Sequence, residues 1–211
     1  MPEPWEEISL ADYENHMSLE SVGQLQALDR IMKEQFTAYP AKTVMILGIA
    51  GGNGLRHITE KDFDKVYGID INRDYLKVVS ERYPQLSEVL ECIRADLVTE
   101  SHILPHSELL IADLLIEYIG FDAFIKAVKQ VSPDHVSCVI QINTDTAGWV
   151  SDSPYLHAFD RLDEVHHEID TPSLISAMEN AGYSPVFRSL EPLPNGKALE
   201  RTDFTRKDIS I

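Results

Sequence analysis

The residues with the most chemical content lie close together in the first third of the chain. The apolar run Met45-Ile46-Leu47 feeds Gly48-Ile49-Ala50-Gly51-Gly52-Asn53-Gly54, and a second apolar run, Tyr67-Gly68-Ile69, ends in Asp70. Small residues let a backbone approach a ligand closely, and a carboxylate at a strand end accepts hydrogen bonds from ribose hydroxyls. The chemistry that suits this pattern is a grip on a nucleotide-containing cofactor at the edge of a parallel sheet. Register narrows the choice. A dinucleotide fingerprint has Gly at its first, third and sixth positions; here, counting from Gly48 meets Ala50 and Asn53, and counting from Gly52 meets Gly54 and His57. A phosphate-cradling P-loop ends in Gly-Lys-Ser/Thr, and this loop has no lysine. Small residues stand instead at every second place: Gly48, Ala50, Gly52 and Gly54.

That alternation resembles the first motif of the class I S-adenosylmethionine (SAM)-dependent methyltransferases, acid-x-Gly-x-Gly-x-Gly. The likeness runs from about Thr43 to Arg206. Gly68-Ile69-Asp70-Ile71-Asn72 is similar to the family's second-strand acid and its neighbours. Arg94-Ala95-Asp96-Leu97 is similar to its adenine-reading acid and the next residue. The stretch from Glu108 to Ile119 is similar to the fourth strand and the helix start after it. The resemblance implies an α/β fold, a three-layer αβα sandwich. Its seven-stranded, mostly parallel sheet would end in a C-terminal antiparallel hairpin, with the seventh strand inserted beside the fifth. It implies SAM as cofactor, held by Gly48, Ala50, Gly52, Gly54, Asp70, Ile71, Asp96, Leu97 and Asp113. Asp70 would take the ribose diol, and Asp96 the adenine amino group beside the Leu97 amide. Two departures stand out. Gly48 occupies the place of the family's first acid, which commonly helps bind the methionine ammonium. Ala50 occupies the place of its first glycine, where one methyl fits if φ is negative.

Methyl transfer is an in-line displacement, and a dedicated base is needed only when the nucleophile starts protonated. Asp113, at the end of the fourth strand, and Glu117, one turn on, are the catalytic candidates; Tyr118 lies beside them. Each has a plainer reading: Asp70 as a solvated acid or helix cap, Asp96 as a turn residue, Asp113 as a helix N-cap, Glu117 and Tyr118 as solvent-facing or packing residues. His157 reads first as an exposed loop histidine. His166-His167 lacks flanking ligands at zinc spacing, so no metal site is expected. His16, near Tyr13, is placed to close over the cofactor's methionine end, and Trp149 to stack on substrate or pack a lid.

The elements that must position these groups follow from periodicity. The chain has 211 residues, 44% of them hydrophobic, which suits one domain spanning 1–211 with a real core. Val22, Leu25, Leu28, Ile31 or Met32, and Phe36 make one helical stripe. Ser21-Val22-Gly23-Gln24 has capping-box form, and Tyr39-Pro40 ends that helix, so 1–40 reads as an N-terminal helical arm. Strands are expected at Thr43–Leu47, Lys65–Ile69, Glu91–Ala95, Leu109–Ala112 and Val136–Ile142. Helices are expected after Gly54, from Asn72 to Arg82, from Phe121 to Gln130, and from a Thr171-Pro172 start to Gly182. Val186–Leu190 and Leu199–Thr205 flank Asn195-Gly196, a strong hairpin signal. The long segment 144–170, with Trp149, Tyr155, His157, Phe159, His166 and His167, reads together with the N-terminal arm as a substrate lid.

The formal net charge of −17 opposes phosphate backbones. It points to a small-molecule substrate, cationic or neutral, and away from nucleic acid. The acidic N-terminus and the lack of a long apolar run suggest neither a secretory signal nor a membrane span, hence a cytoplasmic setting with Cys92 and Cys138 as free thiols. The leading expectation is SAM-dependent methyl transfer to a small molecule. Two alternatives remain: a non-catalytic SAM-binding or partner-binding degenerate methyltransferase, and a nicotinamide-dependent oxidoreductase on the same architecture.

Overall fold

The computed structural model describes residues 3–143 and 150–207 of the chain. The centre is β1, Thr43–Leu47, flanked in parallel by β2, Lys65–Asp70, and by β4, Leu109–Asp113. β3, Leu90–Arg94, lies outside β2, and β5, His135–Ile142, lies outside β4, both parallel. β7, Ala198–Arg206, runs antiparallel beside β5, and β6, Tyr183–Pro192, closes the edge. The order 3-2-1-4-5-7-6 places the seventh strand next to the fifth, as the resemblance implied.

Strand alternation builds the three layers. Val44 and Ile46 of β1 face one way, onto Met32 and Phe36 of α3, Gln24–Ala38, and Leu76 and Val79 of α4, Arg73–Arg82. Met45 and Leu47 face the other way, onto Phe124, Ala127 and Val128 of α5, Ile116–Val131, and Leu174 and Met178 of α6, Thr171–Asn180. Two short helices precede them: α1, Pro4–Glu7, and α2, Leu10–Ser18, the latter capped by the Ser9 hydroxyl accepting from the Asp12 amide. Among the described residues no helix is long and apolar enough to cross a membrane.

Several local expectations need correction. The capping box at Ser21 does not form. Val22 and Gly23 both donate to the Leu19 carbonyl, and this tight turn leaves Gly23 at φ +68°, a left-handed start that glycine adopts without strain. Asp170, not Thr171, caps α6, accepting from the Ser173 amide, while the Thr171 hydroxyl donates to Glu200. Helix α5 begins at Ile116 rather than Phe121. It passes through a kink at Gly120, φ +70°, where the His167 ring sits 3.2 Å from the place a Cβ would occupy. Within 144–170, residues Leu156–Glu164 form a 3-10 helix whose Phe159 and Leu162 pack with Ile8, Trp5, Tyr13 and Tyr118. Trp149 lies outside the described residues.

A buried polar chain ties the core to the sheet's functional edge. Asp203 of β7, fully buried, accepts from Arg201, from the Tyr39 hydroxyl at 2.9 Å and from the Ser137 hydroxyl. Gln35 of α3 donates from one amide nitrogen to Ser137 at 2.9 Å and to Asp113 at 2.8 Å. Removing one partner of such a pair leaves a buried charge uncompensated. Arg201→Ala is expected to cost about 3–5 kcal/mol in chemical denaturation. A loss below about 1 kcal/mol would show that Asp203 is held by its hydroxyl partners alone.

Candidate functional site

The loop after β1 explains the alternation of small residues in backbone terms. Gly48, Ala50, Gly52 and Gly54 all have positive φ, at +68°, +46°, +79° and +85°. Ala50 therefore departs from the expected negative φ, and it carries the left-handed penalty of about 1–2 kcal/mol that L-residues pay there. Asp70 offsets this: its Oδ2 accepts from the Ala50 amide at 2.9 Å, while Oδ1 accepts from the Asn72 amide at 2.9 Å. Asn72 in turn caps α4 through Asp74 and Tyr75. Burial pushes the Asp70 carboxyl up to about 6, with the surrounding amides pulling it back. An ionised carboxylate offers about four acceptor sites, so two backbone bonds leave capacity for a diol.

Gly48, Ala50, Asp70, Ile71, Asp96, Leu97 and Asp113 line one cleft of about 100 Å³ at the carboxyl ends of β1, β2 and β4. Gly52 and Gly54 do not. A Cβ at Gly52 would stand 2.7 Å from the Tyr83 ring, and one at Gly54 2.7 Å from Met32 Cβ. Their smallness serves the turn and the packing behind it. At Gly48 a Cβ would meet Leu115 at 3.1 Å, so the family's acid has no comfortable place there. Asp96 uses Oδ1 to accept from the Val98 amide and Oδ2 from the Thr99 hydroxyl, a turn that seats Leu97 in the cleft.

Asp113 accepts from Gln35 at Oδ1, and its Oδ2 is buried without a partner among the described residues. Glu117 shares this condition: Oε1 accepts from the Gln141 amide at 2.9 Å and Oε2 has no partner. Burial pushes both carboxyls up to about 7. Between them lies Leu114, a non-glycine residue at φ +52°. Strain of this kind concentrates at functional sites.

A second cavity of about 770 Å³ adjoins the cleft, with Trp5, Tyr13, Leu114 and Tyr118 on both linings. Glu117, His16, His166 and His167 border it. His16 is buried and pairs through Nδ1 with the Ser153 hydroxyl at 2.7 Å; burial, then Lys197, pulls its pKa down. His157 is exposed, its side chain 93% accessible, and does not border the cavity.

The sequence reading expected the N-terminal arm as part of a lid but missed Trp5 and the contacts that pin the roof of the cleft. Trp5 packs edge-on against Tyr118 and Tyr13, and its carbonyl accepts from Asn72 Nδ2 at 3.0 Å. The Tyr75 hydroxyl donates to the Ile8 carbonyl. Arg82 bridges Glu14 of the arm to the Gly51 carbonyl. Gln35 was also missed, although a polar residue at the buried spacing Leu28-Ile31-Gln35 was a usable signal.

No family model and no curated protein sequence matches the chain. Its structure is similar to magnesium protoporphyrin IX methyltransferase (ChlM) from Synechocystis PCC 6803 with bound SAH: TM-score 0.63, 12% identity, covering 88% of this chain and 84% of that one. It is similar to the N-methyltransferase NodS from Bradyrhizobium japonicum WM9: TM-score 0.61, 11% identity, covering 87% and 96%. The cyclase SpnF also matches, at TM-score 0.64 and 9% identity, covering 86% and 80%. The chain thus has the Rossmann-like fold of class I SAM-dependent methyltransferases. A cyclase among its structural neighbours shows that the fold alone does not dictate the reaction.

Two measurements test the site's energetics. Ala50→Gly is expected to raise stability by about 0.5–1 kcal/mol through relief of the positive φ; a loss would mean that the Ala50 methyl packs favourably. Glu117 is raised above its unfolded value of 4.5, so its ionisation opposes folding once pH exceeds that value, fully so above about 7. Glu117→Gln should therefore melt several degrees above the native protein at pH ~8, with the gain vanishing below pH ~4.5. A gain independent of pH would remove ionisation as the cause.

Proposed function

We propose that the protein binds SAM in the cleft and transfers its methyl group to a small molecule seated in the adjoining chamber. The observation that carries this reading is the junction of the two cavities at Leu114 and Tyr118. On one side of it lie Asp70 and the small-residue loop, and on the other Glu117. Asp70 would hold the ribose diol. The Ile71, Asp96 and Leu97 edge would hold the adenine, and Gly48 and Ala50 would allow close approach of the backbone. Gly48 carries no acid, so the partnerless Asp113 Oδ2 is the natural acceptor for the methionine ammonium. When bound, the sulfonium supplies an electrophilic methyl group. The chain's own part is to align the acceptor, exclude water under the aromatic roof and take up a proton at Asp113 or Glu117. The net charge of −17 supports a small-molecule acceptor over nucleic acid.

A second reading has one observation in its favour. The cleft is narrow for an adenosine, and Trp5 and Tyr13 roof it, pinned through Asn72 and Arg82. A protein that binds SAM to fix this arm, without turnover, would use the same residues. Release of demethylated product from SAM with a mixed pool of small molecules separates the two readings.

Calorimetry with SAM and with its demethylated product should give dissociation constants from about 1 μM to several hundred μM, roughly 5–8 kcal/mol. Asp70→Ala should weaken that binding more than Asp113→Ala. The reverse order would mean that the ribose seat is misplaced, and absence of both heat and thermal shift would refute the proposal.

A further inference from the structure

The chamber has a chemical bias of its own. Its lining carries the carboxylates of Glu117, Glu168 and Asp170 and, among the described residues, neither lysine nor arginine. The rings of Trp5, Tyr118 and Phe159 face the same space. Glu168 and Asp170 are exposed, and Asp170 is engaged with Ser173. Glu117 is different: it borders the chamber, is 7% exposed, and its buried Oε2 has no hydrogen-bond donor among the described residues. A buried acceptor in that state is costly until a ligand supplies the donor. An anion placed here would meet three carboxylates and no lysine or arginine in the described lining. A neutral molecule would leave the aromatic faces unused for what they attract best, which is a cation.

We infer that the chamber seats an organic amine, bound as its ammonium, with Glu117 Oε2 accepting the N–H bond. The inference draws on the methyl-transfer reading for what happens next, but not for the binding itself. Within that reading the ammonium gives one proton to Oε2. The nitrogen pair so freed forms the new N–C bond, and the C–S pair stays on sulfur. The products are a methylated ammonium, a neutral thioether and a proton, which Glu117 later releases. Two positive charges enter and two leave.

The surroundings of Glu117 set the expected pH behaviour. Glu117 acts electrostatically on Asp113 of β4 and on Tyr118 of its own helix. Gln141 of β5 donates to it, and the His167 amide bonds its carbonyl. Lys197 acts on His16, which is itself part of the chamber lining. Burial holds Glu117 up at about 7, so ammonium binding should strengthen as pH rises through that value.

The test is titration calorimetry on the full chain, with and without the demethylated cofactor product. Phenethylamine, hexylamine and putrescine are each compared with the alcohol and the carboxylate of the same skeleton. At least one amine should bind about tenfold or more tightly than its counterparts, and its affinity should rise between pH ~6 and ~8. Glu117→Gln should lose about tenfold in amine affinity together with the pH dependence. The proposal is overturned if no amine outbinds its counterparts, or if Glu117→Gln binds amines as well as the native chain does. The ranking within the native protein decides the matter even if the variant misfolds. Amine binding without cofactor binding would sink the methyl-transfer reading and leave this one standing; cofactor binding without amine preference would do the opposite.

Discussion

The hydrogen bond from the Ala50 amide to Asp70 Oδ2 is the contact on which the functional edge depends. It joins the loop after β1 to the end of β2 and holds a left-handed alanine in place. The second oxygen of the same carboxylate takes the Asn72 amide and so sets the start of α4. One buried group therefore fixes the loop, the neighbouring strand end and a helix N-terminus. Asn72 then reaches on to the Trp5 carbonyl, which extends the constraint into the N-terminal arm. An acid at this point is structural before any ligand arrives. Its value to a ligand lies in the acceptor capacity that the backbone leaves unused.

Three carboxylates at this edge, Asp70, Asp113 and Glu117, share a physical condition that the surface acids do not. Each is pushed upward by burial, and none is paired with a lysine or arginine by a direct ion pair in the described residues. Asp203, equally buried, shows the contrast: it lies against Arg201 at 2.6 Å. The molecule thus neutralises the acid that serves the core and leaves poised the acids that face cavities. Groups held this way stabilise the fold when protonated and weaken it when charged. A ligand that brings donors to them relieves the strain of ionisation, so binding and folding are linked through the same oxygens.

Much of this organisation was legible in the sequence because it has short-range causes. The strand pattern follows from runs such as Leu109–Ala112, buried on both faces. The alternation at 48–54 reports a run of positive φ values, which side chains of ordinary size resist. The illegible parts have long-range causes. Ser21 carried the chemistry of a cap, but the turn from α2 into α3 spent the local hydrogen bonds on the Leu19 carbonyl. Gly52 and Gly54 looked like ligand contacts, yet Tyr83 and Met32, distant in sequence, occupy the space behind them. The roles of Trp5 and Gln35 are tertiary throughout: one packs on Tyr118, and the other bridges Asp113 to Ser137.

The arm borders both cavities, and the 156–164 segment borders the larger one. Trp5, Ile8 and Tyr13 from the arm pack with Phe159, Leu162 and Tyr118 in a small apolar cluster of their own. Polar links run in two directions from it. Glu7 pairs with Arg161 and His16 with Ser153, binding the arm to the later segment, while Glu14 pairs with Arg82 and Trp5 with Asn72, binding it to the cleft. Trp5 and Tyr13 line the cleft and the chamber alike, so under the proposed function an adenosine in the cleft would press on side chains that also form the chamber's wall. The two sites are therefore coupled by shared side chains rather than by a path through the core. Under the proposed function, the group filling the cleft would shape the pocket where the acceptor sits, which favours an order in which the larger, adenosine-bearing molecule binds first.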